Sequence, residues 1–210
     1  MRLGVDEAGK GPVLGSMFAA AVRADPDDLP DGVGDSKGIA PERRQELAAT
    51  IREVAAVGVS EVPVERIDDP ETDMNTLTVD AHAGALAEIA RDGDHGHADA
   101  GDTNAVRFER RVAKRVPADV DLRAEHGADE DDPVVGAASI VAKVERDAHV
   151  RRLAEEYGEI GSGYPGDETT RAFLEAYVRE HGDLPACARE SWATSQDVLA
   201  ARKQASFDDF

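Results

Sequence analysis

Residues 2–15 read RLGVDEAGKGPVLG. A short apolar segment ends in two adjacent carboxylates, Asp6 and Glu7, and the basic, flexible turn Gly9-Lys10-Gly11-Pro12 follows. With SMFAAAVR at 16–23, this predicts two strands, residues 2–5 and 16–23, joined by a glycine-rich connection. Side chains alternate between faces along a strand, so Asp6 and Glu7 can share a site only where the strand bends or ends, which the glycines permit. Two carboxylates held together raise each other's pKa unless a cation sits between them, and hard divalent ions such as Mg²⁺ take oxygen ligands. Taken alone, the Asp-Glu pair is more plainly read as a solvated strand end. The turn is not a Walker A loop, because no Ser or Thr follows Lys10. It is not a dinucleotide fingerprint either, because the third glycine, Gly15, comes one residue late. What remains is a turn whose backbone N–H groups can approach a phosphate, with Lys10 adding charge.

Outward from this stretch, residues 24–40 are a Pro/Gly/Asp-rich loop containing GDSKG, and a helix is predicted from about Pro41. VAAVGVSEVPV at 54–64 reads as a strand region, 66–75 as an acidic loop and 77–91 as a helix. Residues 92–104 are strongly polar. A basic helix follows at about 105–116, with Arg107, Arg110, Arg111, Lys114 and Arg115. A strand is predicted at 118–126, an acidic loop at 127–133, and the longest helical pattern from Val134 to Tyr157, with Ala137, Ile140, Val141, Val144 and Leu153 mostly on one face. GSGYPGD at 161–167 is a turn, helices are predicted at 168–181 and 187–202, and QASFDDF closes the chain as a tail. Strands first, then strands mixed with helices, imply a mixed α/β layer with helices covering a sheet.

The 210-residue chain carries 44 acidic and 24 basic residues, a formal net charge of −20, and only five of its cations are lysines. Such a balance ordinarily argues against a nucleic-acid partner, since phosphates are neutralised by cations. It also opposes compaction by self-repulsion, which molar salt screens by shortening the Debye length to about 3 Å. The acidity therefore reads as adaptation to high salt. The single cysteine, Cys187, excludes an internal disulfide and reads as packing. With no signal-peptide pattern and no run of 18 apolar residues, the protein is expected to be soluble and cytoplasmic, without a membrane partner.

Further acids stand out: Asp99 and Asp102 in HADAGDTN, and Asp129 in HGADEDDP ahead of the long helix. His95 and His97 have the spacing of a strand-borne zinc pair, but no cysteine or third histidine supports them.

The blocks GVDEAGKGPVLG, GDSKG, MNTL, ADAGDTNAVRF, AEHGADEDDPVVGAASIVAKVERD, GSGYPGD and HGDLPACARESW occur in the order found in ribonuclease HII, and the chain resembles its archaeal branch from residue 2 to about 195. The resemblance implies a ribonuclease H-like α/β fold, a central mixed β-sheet flanked by helices with a C-terminal helical extension. The expected division is a catalytic domain at 1–160, the extension at 161–203 and a flexible tail at 204–210. It also implies an endoribonuclease that cuts the RNA strand of RNA·DNA hybrids and ribonucleotides embedded in duplex DNA, leaving 3′-hydroxyl and 5′-phosphate ends. Asp6, Glu7, Asp99 and Asp129 match the four family carboxylates that hold Mg²⁺ or Mn²⁺. Gly9, Lys10 and Gly11 match the turn that touches the backbone near the scissile position, and Tyr164 the tyrosine that stacks at the RNA–DNA junction. Lys37, Lys143 and Arg146 fall in blocks that line the substrate groove.

The chemistry agrees, because two divalent ions about 4 Å apart suit phosphodiester hydrolysis and the 2′-hydroxyl distinguishes RNA from DNA. The sequence departs from the family at Gly136, where a serine is usual, and in Gly166-Asp167-Glu168 after the tyrosine. The run to Asp99, RDGDHGHAD, is nearly without apolar residues. A short, edge-like strand or one with a salt-adapted exposed face is expected there, with Asp102 as the substitute for Asp99. The tail resembles a sliding-clamp binding box through Gln204, Phe207 and Phe210, which a short 3₁₀-like turn would present together; a monomer is expected. The competing reading is a non-catalytic acidic module that holds a metal or docks on the clamp.

Overall fold

A computed structural model describes residues 1–34 and 38–208, with side chains as far as residue 204. The strands are β1 (Arg2–Ala8), β2 (Met17–Ala24), β3 (Ala56–Val62), β4 (His95–Asp99) and β5 (Asp121–Glu125). The helices are α1 (Pro41–Val54), α2 (Val64–Ile67), α3 (Met74–Ala87), α4 (Ala105–Ala113), α5 (Ala128–Asp131), α6 (Pro133–Tyr157), α7 (Glu168–His181) and α8 (Ala193–Asp208). Internal contacts divide the chain into two units. One comprises Met1–Lys10, Met17–Val62 and Asp73–Arg146; the other comprises Gly11–Ser16, Pro63–Thr72 and the chain from Asp147 on. Among the described residues no helix is long and apolar enough to cross a membrane.

The first unit is built on a five-stranded mixed sheet of order β3-β2-β1-β4-β5. Pairings from β3 to β1 are antiparallel and those from β1 to β5 parallel. On one face Ala20, Val22 and Ala24 pack with Leu47 and Ile51 of α1 and Ile140 and Val141 of α6. The opposite face is covered by α3 over β1, β2 and β3 and by α4 over β5.

Two strands differ from expectation. β1 does not stop at Val5: it stays in register with β2 through Asp6↔Ala20 and Glu7↔Ala19 as far as Ala8. The small, fully buried Ala19 and Ala20 let the ladder continue past the acids, so Asp6 and Glu7 leave the strand on opposite faces rather than at a bend. β4 is short but lies inside the sheet, between β1 and β5, not at an edge. Its apolar contacts come from its neighbours: a Cβ at Gly96 would lie 2.9 Å from Leu122 Cδ1 and 3.3 Å from Leu3 Cβ, so glycine there admits two leucine side chains. The entry to β4 is tied to β2 by Arg23, whose Nε and Nη2 donate to Asp94 at 2.7 and 3.0 Å and hold its carboxyl below the usual range.

In the second unit, Val13, Leu14, Ile160, Leu174, Cys187 and Ala188 form the core, which gives Cys187 a packing role. The 187–192 segment is not helical, contrary to expectation, because its backbone pairs elsewhere. Gly15 N donates to Cys187 O at 2.7 Å, Arg189 N donates to Val13 O at 2.8 Å, and Leu14 bridges Ala188. The last helix therefore starts at Ala193 and continues to Asp208, over part of the expected tail. Short helix α5 lies in a segment expected as a loop, and α2 runs from the end of the expected strand region at Val64 into the loop expected from 66.

Candidate active site

The parallel strands β1, β4 and β5 bring their C-terminal ends together, the edge where open α/β sheets place ligands. Val5 pairs with Ala98, so the next residues along, Asp6 and Asp99, stand side by side on the α6 face. Asp99 Oδ1 accepts the N–H groups of Gly127 and Ala128 at 2.7 and 3.0 Å, which anchors the start of α5 beside it and brings in Asp129. Asp6 and Asp129 are each only 5% exposed.

Burial, then the charges of Glu7 and Asp99, push the Asp6 carboxyl up to about 7 against a stabilising hydrogen bond from Ser139 of α6. Asp6 also accepts the Glu7 N–H at 2.7 Å, and Lys143 Nζ donates to Ser139 Oγ at 2.8 Å. Asp99 is raised too, first by burial and then by Glu7 and Asp129.

Glu7 has the opposite fate. Burial pushes it up, but its hydrogen bond to His82 and the nearby His82 and Lys10 charges outweigh burial, and it is held below the usual range. His82 Nε2 lies 2.7 Å from Glu7 Oε2. The imidazole is fully buried and meets the Phe108 ring edge-on at 5.0 Å between centroids. Across the carboxylate, a Cβ at Gly101 would lie 3.0 Å from Glu7 Oε1 and 2.5 Å from Thr78 Cγ2, so glycine leaves room for the acid. Lys10 Nζ donates to the Gly101 carbonyl.

Asp102, the expected substitute for Asp99, is buried against Arg107 at 2.6 Å, which holds it low. It belongs to an ion pair rather than to the carboxylate group. His95 and His97 each meet their own carboxylate, Asp121 at 3.2 Å and Asp132 at 3.1 Å.

Among the described residues no three His, Cys, Asp or Glu side chains are set to close on a metal ion. The carboxylates of Asp6, Glu7 and Asp99 rest instead on protein donors. Their chemistry nonetheless fits a hard divalent cation. The donor set is all oxygen, Asp6 and Asp129 are buried while Glu7 and Asp99 are partly open, and the mutual repulsion that raises Asp6 and Asp99 is the kind a bound cation relieves.

The other expected residues are placed as follows. Gly9 turns with φ 89°. In the second unit, Gly11 O accepts the Trp192 indole N–H at 3.3 Å, and a Cβ on Gly11 would lie 3.9 Å from Tyr164 Cε1. Tyr164 is 49% exposed. Lys143 reaches Ser139, and Arg146 is buried. Gln204 is exposed on α8, Phe207 lies on the same helix, and Lys37 and Phe210 fall outside the described residues. Sequence reasoning missed His82, Ser139 and Trp192. His82 left a signal: it follows Thr78 by four on the buried stripe of α3 with Leu86, and a buried polar side chain there calls for a partner.

A helix-covered mixed sheet of this order, with buried carboxylates at the ends of its central parallel strands, defines a ribonuclease H-like α/β fold. Solved relatives agree. Ribonuclease H2 from Pyrococcus horikoshii OT3 matches at TM-score 0.89 and 32% identity, covering 96% of this chain and 98% of that one. The ribonuclease HII solved in a complex with PCNA from Archaeoglobus fulgidus matches at TM-score 0.85 and 36% identity over 100% of both chains. The Ribonuclease HII family model matches residues 3–195. Ribonuclease HII of Haloarcula marismortui is 68% identical over 100% of both chains, and that of Halobacterium salinarum is 64% identical over 100% of this chain and 99% of its own. The chain belongs to the ribonuclease HII family: it is a ribonuclease H, an endonuclease that acts on RNA/DNA hybrids. The non-catalytic reading is not favoured. The relatives' halophilic sources fit the acidic composition.

Proposed function

We propose that the chain hydrolyses the RNA strand of hybrids and also cuts at single ribonucleotides embedded in duplex DNA, leaving 3′-hydroxyl and 5′-phosphate ends. Asp6, Glu7, Asp99 and Asp129 are assigned as ligands of two divalent ions, Mg²⁺ or Mn²⁺. The observation that carries this reading is the group of acids at the C-terminal ends of β1 and β4, in which buried Asp6 is pushed up to about 7 by burial and by its acidic neighbours. The chemistry supplied by a bound ion pair is activation of the attacking water and stabilisation of the leaving 3′-oxygen. The chain's own residues fix the geometry. Ser139 and the Glu7 N–H orient Asp6, and the Gly127 and Ala128 N–H groups orient Asp99. The Gly9-Lys10-Gly11 turn is assigned to the sugar-phosphate edge, Tyr164 to stacking beside the ribose, and Lys37, Lys143 and Arg146 to the substrate groove.

The test is cleavage, in molar KCl with Mg²⁺ or Mn²⁺, of a duplex bearing one ribonucleotide beside a continuous hybrid. Product ends are read by ligation and by phosphatase sensitivity. Cuts on both duplexes with ligatable 3′-hydroxyl ends are expected. Absence of cleavage with either metal would overturn the metal reading, and cleavage of the continuous hybrid alone would remove the single-ribonucleotide activity.

The enzyme is proposed to act as a cytoplasmic monomer and to dock on a sliding clamp through Gln204, Phe207 and Phe210. The A. fulgidus relative solved with PCNA supports such docking. Deletion of residues 204–210 is expected to abolish clamp pull-down in high salt while leaving cleavage intact. Unchanged pull-down would sink the docking assignment.

A further inference from the structure

We infer that His82 is a positioning residue for the metal site: it fixes Glu7 so that one carboxylate oxygen is committed to the protein and the other is presented to the cation. This rests on the assignment of Glu7 as a metal ligand. The sequence offered no role for this histidine, and the geometry gives it one.

The argument begins with burial. His82 is 0% exposed, on the α3 stripe that faces the sheet. Its Nε2 is 2.7 Å from Glu7 Oε2, while its Nδ1 is buried without a hydrogen-bond partner. A carboxylate only accepts, so the shared proton sits on Nε2. A fully buried imidazole with one orphaned nitrogen costs stability relative to an apolar ring of similar shape. The ring's contact with Phe108, edge-on at 5.0 Å, would suit a phenyl group as well. Packing therefore does not call for histidine here; the bond to Glu7 does.

The other side of the carboxylate is left open. A Cβ at Gly101 would lie 3.0 Å from Oε1, so glycine keeps that oxygen unobstructed, and Gly101 is in turn held by Lys10 through its carbonyl. Glu7 is thus held from α3 through one oxygen, with the other facing the space beside the loop after β4. Glutamate has three side-chain torsions, and fixing them costs rotamer entropy. An acid already fixed does not meet that cost again when an ion arrives. Hydrogen-bond partners of metal ligands set ligand orientation, and their loss typically lowers metal affinity about 10–100-fold.

The experiment compares His82→Phe, which keeps the ring and removes the donor, with His82→Gln, which restores an N–H donor. Full-length proteins are titrated with Mn²⁺ in molar KCl without substrate. Metal binding is followed by the rise in melting temperature and by calorimetry, and circular dichroism checks the fold. The midpoint for His82→Phe is expected to rise about tenfold or more, with His82→Gln returning to within about threefold of the parent. With saturating hybrid, kcat should recover in His82→Phe as Mn²⁺ is raised, while KM for the hybrid stays unchanged. A midpoint for His82→Phe within twofold of the parent, or failure of His82→Gln to restore it, would overturn the role. If His82→Phe fails to fold, the His82→Gln titration decides, because a donor-bearing variant that binds Mn²⁺ tenfold more weakly also refutes it. If the parent itself shows no Mn²⁺ response, the assignment of Glu7 as a ligand fails first.

Discussion

Asp6 and Glu7 are neighbours in the chain, and the two faces of the sheet treat them oppositely. On the α6 face Asp6 stands beside Asp99 with one hydroxyl, Ser139, as its side-chain donor, and burial with like charge drives it up to about 7. On the α3 face Glu7 is somewhat more open, its side chain 11% exposed, and meets His82 and Lys10, and it is held low. A buried acid is thus governed less by its depth than by which partners its face supplies. One face stores repulsion that a cation can release; the other holds an acid ionised and fixed in advance.

The most severe way to break this contrast is Asp6→Asn. Removing one charge from the repelling face is expected to lower cleavage on the order of 10³-fold, the scale of losing one electrostatic element of such a site, with the fold intact by circular dichroism. Near-parental activity would remove Asp6 from the chemistry.

The second prediction concerns the metal-free protein. Unfolded Asp6 releases its proton near 3.8 and folded Asp6 near 7, so between those values the folded state binds more protons. Stability therefore falls as pH rises from about 4 to about 7, by on the order of 3–4 kcal/mol. Glu7 acts with the opposite sign: its stabilisation is present above its unfolded value of 4.5 and is lost as pH falls through its lower folded value. Urea denaturation in chelator across this range should show the decline, and Asp6→Asn should remove most of it. A slope that persists in the variant would place the strain elsewhere.

The smallest effect sharpens the comparison. Ser139→Ala removes the side-chain donor on the α6 face. It should raise the Mn²⁺ midpoint for cleavage by less than about tenfold, at the low end of effects on ligand-orienting groups, measured as initial rate against metal. No change would show that the Glu7 N–H alone orients Asp6.

Much of this was legible in the sequence. The glycine-rich connection, the long helix from Val134 and the helix at 168–181 carry strong local patterns, and the family blocks carry the fold. What escaped depended on pairing at a distance. Whether β1 stops at Val5 or continues through Glu7 is decided by β2, whose alanines accept the acids in register. The interior position of β4 could not be read from HGHAD, since Leu3 and Leu122 supply its apolar contacts. The His82–Glu7 bond spans 75 residues, so no local period reveals it. Four-residue α2 and α5 are too short for a periodic signal, and the late start of α8 reflects backbone pairing of 187–189 with 13–15.

The way β4 is packed has a consequence for how such a protein can change over evolutionary time. A strand that borrows its neighbours' leucines holds an interior address with Ala98 as its one buried apolar side chain. Selection for water-binding surface in brine can then rewrite the exposed letters of RDGDHGHAD, Arg91, Asp92 and His95, while Asp94, Gly96 and Ala98 keep their places against Arg23, Leu3 and Leu122 and the sheet keeps its order. The segment that delivers Asp99 is in this sense divided: its exposed letters can drift, while the few that touch the sheet keep the carboxylate at the end of the strand.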